Sequence, residues 1–143
     1  MTAMGPSSVP DVAHLYLETV VSVWRDGRWT PVAEYVSLHG GVLHVITGWN
    51  PGAERPTHEE NDAANRILYE QLVSRGLVPA HALGADPNSD HAEHSWVVAG
   101  LTDEQARKLG AEFGQVAVFR VDGDELTVLA CTESWTLSRR LSS

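Results

Sequence analysis

The chain has 143 residues, 43% of them hydrophobic, with a formal net charge of −9 at pH 7 and a pI of about 5.1. That length holds one domain with a core of its own and is too short for two comfortable ones. Basic residues cluster only at Arg25/Arg28 and Arg139-Arg140. Such a chain lacks the cationic stripe that a phosphate backbone requires, which argues against a nucleic-acid partner.

A single cysteine, Cys131, excludes an intrachain disulfide and suits a reducing compartment; set in Val128-Leu129-Ala130, it reads as a buried, inert thiol. No apolar run approaches the roughly 20 residues that span a bilayer. Met1 to Pro10 lacks the charged start and apolar stretch of a signal peptide and reads as a tail. The expectation is a cytoplasmic protein with one domain over residues 11–135, a tail at 1–10 and a second at 136–143.

In chain order, Asp11 to Glu18 has the spacing of a short helix, with Asp11 as its cap. Thr19 to Trp24 turns β-like, Arg25-Asp26-Gly27-Arg28 carries a turn signal, and Trp29 to Val36 resumes with strand formers, which predicts a hairpin. After the break at His39-Gly40-Gly41, Val42 to Ile46 is a β-branched apolar run of strand length. It gives way abruptly to Thr47-Gly48-Trp49-Asn50-Pro51-Gly52, a loop built from residues that leave a sheet readily.

Thr57-His58-Glu59-Glu60 has capping-box form, so a helix should run from there to about Arg75, with Gly76 just past its end. Val78–Leu83 and Ser95–Ala99 read as strands around the polar loop from Gly84 to Asp90. Thr102-Asp103-Glu104-Gln105 opens a second helix ending at Gly110 or Gly114. Val116–Val121 and Leu126–Cys131 are strands joined by Asp122-Gly123-Asp124. The order predicts an α+β fold with a mainly antiparallel sheet and two helices on one face. Its core would be a ferredoxin-like β-α-β-β-α-β unit, with an N-terminal hairpin on a sheet edge or the other face and an extra C-terminal strand.

Asn61, Asn65, Leu68 and Leu72 fall within roughly 60° on a helical wheel. The leucines must face the sheet, so both amides point inward beside the Trp-Asn-Pro loop, where each needs partners for its hydrogen bonds. They either pin that loop or line a pocket with Trp49 and Asn50. Glu93 and Ser95 share a strand face, His94 points away, and Gln115 opens a strand directly after Gly114. The candidate ligand-binding set is therefore Trp49, Asn50, Asn61, Asn65, Glu93, Ser95 and Gln115. Asp86 to Asp90 lacks the Gly and Glu of a calcium loop, and His91, Glu93 and His94 have no recognised zinc spacing. No metal and no cofactor is therefore assigned.

Ile46-Thr47-Gly48-Trp49-Asn50-Pro51-Gly52 resembles the Ile-Thr-Ala-Trp-Asn-Pro-Gly signature of an uncharacterised bacterial family, domain of unknown function 3293. Glu60-Asn61, Asn65, Asp86-Pro87, His91 to Trp96, Leu109-Gly110 and Phe113-Gly114-Gln115 continue the resemblance in order. Gly48 stands where that family usually has Ala, and Val116 where an Asn often follows the Gln. The resemblance implies a fold and a site, not an activity.

Three functions fit these residues. The first is a small-molecule or peptide-binding regulatory module, since amides and hydroxyls are strong hydrogen-bonders and poor acid–base groups. The second is a hydrolase or transferase on a nucleotide-like or amide substrate, with Glu93 as general base and the amides stabilising oxyanion charge. The third is a protein-interaction domain whose amides only brace a loop. Catalytic residues stay unassigned and homo-oligomerisation stays open.

Overall fold

The computed structural model describes residues 9–50 and 56–141. Among these residues eight strands form one sheet in the order β2-β1-β4-β5-β3-β6-β7-β8, and every pairing is antiparallel. The strands are β1 (Val20–Arg25), β2 (Arg28–Pro31), β3 (Val42–Ile46), β4 (Ala80–Ala85), β5 (Ala92–Ala99), β6 (Ala117–Asp122), β7 (Glu125–Ala130) and β8 (Thr136–Arg140). Four helices accompany them: α1 (Val12–Leu17), α2 (Val32–His39), α3 (His58–Ser74) and α4 (Asp103–Glu112). The fold is α+β. No helix among the described residues is long and apolar enough to cross a membrane.

Both capping boxes form as expected. Thr57 Oγ1 accepts from Glu60 N while Glu60 accepts from Thr57 N, and Thr102 and Gln105 repeat the exchange. At the first hairpin, Asp26 and Gly27 adopt φ of 52° and 80°, the paired left-handed geometry of a tight two-residue turn. That hairpin extends the sheet edge, with β1 pairing against β4.

Three expectations give way to the structure. Trp29–Val36 is not a continuous strand: β2 stops at Pro31, and residues from Val32 onward wind into α2. Pro31 has no N–H for a ladder and occupies the N-cap with φ −54° and ψ 141°. Val32, Tyr35 and Val36 meet the core equally well at i, i+3 and i+4. Asp11 precedes α1, but its side chain makes no capping bond and its backbone is already helical. The segment from Thr136, expected as a tail, forms β8 against β7, with Leu137 and Arg139 on its inner side. Arg139 donates to the carbonyls of Leu17 and Thr19, so β8 holds the C-terminal end of α1, where a cation complements exposed carbonyls.

Alternating strand residues feed separate cores. Ile46, Val98, Val118 and Leu129 meet Leu68 and Leu72 of α3 and Ala106 and Leu109 of α4. Neighbours of opposite pleat, including Val45, Val97 and Val121, meet Val32 and Val36 of α2. Ala13 of α1 packs with Ala117, Val128, Ala130 and Trp135. At the start of α4, Asp103 accepts from His44 Nε2 at 2.8 Å and from Arg120.

Candidate functional site

The ladder of β3 ends at Ile46, and side chains take over the backbone groups it leaves. Thr47 Oγ1 donates to the His94 carbonyl at 2.7 Å and accepts from Trp49 N at 3.0 Å. Asn65 Oδ1 accepts from Gly48 N at 2.7 Å, and its Nδ2 donates to His94 O at 2.7 Å. Gly48 lies so close to α3 that an added Cβ would sit 3.1 Å from the Ala64 carbonyl carbon. Asn50 takes a left-handed φ of 48°, a conformation asparagine tolerates better than most residues. Its N–H donates to Asn61 Oδ1 at 3.0 Å, and Asn61 Nδ2 donates back to Asn50 Oδ1 at 3.1 Å. Residues 51–55, the remainder of the loop, lie outside the described residues.

Asn61 and Asn65 thus face inward, 3% and 6% exposed, with both polar atoms of each side chain committed to the protein. Trp49 is buried between the rings of His58 and His94, with centroids 5.5 and 5.2 Å away. These three residues frame the loop.

Asn50, Glu93, Ser95 and Gln115 do something further: they line a cavity of about 280 Å³ that α1 roofs. Tyr16 and Phe119 close it from the helix and from β6. Asn50 Nδ2 and His91 Nε2 both contact Glu93 Oε2 at 3.0 Å, which fixes the carboxylate. Ser95 Oγ donates weakly to the Glu93 carbonyl at 3.3 Å. Gln115 Nε2 donates to the carbonyls of Trp49 (3.0 Å) and Phe113 (3.3 Å). The Tyr16 phenol is held above its ordinary pKa, chiefly by burial and then by the Glu93 carboxylate. Burial likewise pushes the Cys131 thiol up to about 11, so it stays protonated at neutral pH.

A second, more open hollow of about 470 Å³ lies on the α3 side, lined by Asn65, Arg66, Tyr69, His81, His94 and Trp96 together with Asp62. His81 and His94 share a 2.8 Å contact between ring nitrogens. Burial, and then the His94 ring, lower the His81 pKa. Because His94 turns to His81 and His91 to Glu93, these residues form no metal-ligating group of three or more among the described residues.

The family model described as protein of unknown function, DUF3293, matches residues 46–118, over half of the chain. The chain belongs to this family. Within the DUF3293 match lie all seven candidate residues, His91 and His94, whereas Tyr16 and Phe119 fall outside it. No curated protein and no solved structure matches this DUF3293 chain significantly.

Tyr16, Thr47 and Phe119 were absent from the candidate set. Phe119 was within reach of the pattern, since Ala117 and Phe119 alternate along one side of β6, which begins two residues after Gln115. Tyr16 had no such signal: α1 reaches the cavity by packing across β6, β7 and β8, and those are long-range contacts.

Proposed function

We propose that the protein is a small-molecule-binding regulatory module whose ligand occupies the cavity beneath α1. One observation carries this: a half-open hollow gathers Asn50, Glu93, Ser95 and Gln115 from three separate elements around a partly apolar wall. Ligand sites commonly pair an apolar lining with a few fixed polar groups, and they are few per protein. At about 280 Å³ the hollow lies near the lower end of the roughly 300–1,000 Å³ typical of such sites, which favours a small metabolite over a peptide. The groups present recognise hydrogen-bonding partners well and carry protons poorly, apart from Glu93 and His91.

The scaffold we infer beneath this site is a ferredoxin-like unit made of β3, α3, β4, β5, α4 and β6, with α3 and α4 on one face. Supporting it are the central strand order β4-β5-β3-β6 and the shared core of the two helices. The test is native mass spectrometry of the full chain purified without denaturation. A retained small molecule that is lost from Ser95→Phe, a variant that puts a ring into the hollow, is the expected result. A parent protein that retains nothing and gives no hit in a thermal-shift metabolite screen would leave the amides as loop braces alone.

A further inference from the structure

We infer that the cavity beneath α1 selects a small organic cation, a protonated amine carrying an apolar body. This rests on the ligand-binding assignment above and adds the charge and shape of the occupant.

At the polar end of the cavity, the free hydrogen-bonding capacity of Glu93, Ser95 and Gln115 is acceptor capacity, while the Tyr16 and Thr19 hydroxyls elsewhere in the lining can donate or accept. Gln115 is 8% exposed, and its Nε2 is committed to the Trp49 and Phe113 carbonyls. Turning the amide over would set its oxygen against two carbonyl oxygens, so the orientation is fixed. Its Oε1 has no hydrogen-bond partner among the described residues, and it is the end left to serve the cavity. Glu93 is arranged in the same way: Asn50 and His91 both contact Oε2, leaving Oε1 without a partner among the described residues. Ser95 gives its hydrogen to a backbone carbonyl and keeps its lone pairs. These are acceptors waiting for a donor.

Charge points the same way. Glu18, Asp86 and Glu93 line the cavity, and no Lys or Arg does so among the described residues. The His91 imidazole offsets at most one of these carboxylates. A carboxylate or phosphate ligand would meet like charge at the part-buried Glu93, with the exposed Glu18 and Asp86 carboxylates at the rim adding to it. Val45, Ala117 and Phe119 supply an apolar wall for a hydrocarbon or aryl body, and α1 adds Val12 and Leu15. An ammonium head at Glu93 and Gln115 with its body along that wall uses both halves of the lining.

Isothermal titration of the full chain with n-hexylamine, n-hexanol and hexanoate tests this. The three probes share a body and differ in the charge of the head. Hexylamine should bind about tenfold or more tightly than hexanol, and hexanoate more weakly still, as expected when one part-buried charge gains or lacks a partner. Glu93→Gln keeps an acceptor for Asn50 Nδ2 but removes the charge; it should erase the preference for hexylamine over hexanol, bringing the two affinities within about twofold of each other. Equal binding of amine and alcohol, an unchanged preference in Glu93→Gln, or tighter binding of hexanoate would each overturn the inference. None of these outcomes touches the copurification result, so a cavity that binds a neutral or anionic molecule would still stand as a ligand site. Failure of all three probes overturns the amine inference, and native mass spectrometry then decides the ligand site separately.

Discussion

On the α3 side of the β3 terminus, Asn61 and Asn65 commit both side-chain polar atoms to the protein; on the α1 side, Glu93 and Gln115 each leave one oxygen without a partner among the described residues. Both sets are buried or half-buried polar groups of the same chemical kind. Burial therefore does not distinguish a brace from a recognition element. The count of unused donors and acceptors does, because a satisfied amide has nothing further to offer and a half-satisfied one keeps an atom free for a ligand.

The comparison can be broken by mutation. Asn65→Ala should have the largest effect, lowering unfolding free energy by about 3 kcal/mol. It orphans the buried Gly48 N–H and leaves a void, while the His94 carbonyl keeps its bond from Thr47. Urea denaturation reads this directly. Asn61→Ala should cost about 1–2 kcal/mol in the same assay, since it frees only the half-buried Asn50 backbone N–H and one side-chain bond. Ser95→Ala, on the other side, should stay within about 0.5 kcal/mol of the parent, because it loses a single long bond to its own strand. A Ser95→Ala cost as large as that of Asn65→Ala would erase the distinction between the two sides.

Titration sharpens the same contrast. His81 and His44 both have pKa values lowered by burial, so near and below the ordinary histidine value of about 6.5 the unfolded chain binds protons that the folded chain does not. Stability should therefore fall as pH drops through that window. His81→Gln should flatten part of the slope, with His44 supplying the rest. On the cavity side, spectrophotometric titration should find Tyr16 ionising above the ordinary value of about 10. Glu93→Gln should bring it down only part of the way, because burial is the larger cause. This is the smallest effect expected.

Much of the fold was legible because its signals are local. Two capping boxes, the Asp-Gly and Asp-Gly-Asp turns and the β-branched run of β3 each decide a few neighbouring residues without help from the rest of the chain. The inward stripe of Asn61 and Asn65 was equally local, following from the position of Leu68 and Leu72. What escaped were choices made by tertiary context. Val32, Tyr35 and Val36 suit a strand and a helix alike, and Pro31 together with the core beneath decides for α2. The residues of β8 gain their structure from β7, and the Tyr16 side of the cavity rests on α1 packing over β6 and β7 together with Arg139 reaching its end. The division of the seven candidates between bracing and lining depends on hydrogen bonds that no periodicity encodes.

The most direct measurement follows amide and side-chain resonances of the full chain during a titration with n-hexylamine. The account predicts saturable shifts at Tyr16, Glu93, Ser95, Gln115 and Phe119, with Asn61, Asn65 and Trp96 unmoved. Shifts confined to His81, His94, Tyr69 and Trp96 would place binding in the α3-side hollow and contradict it.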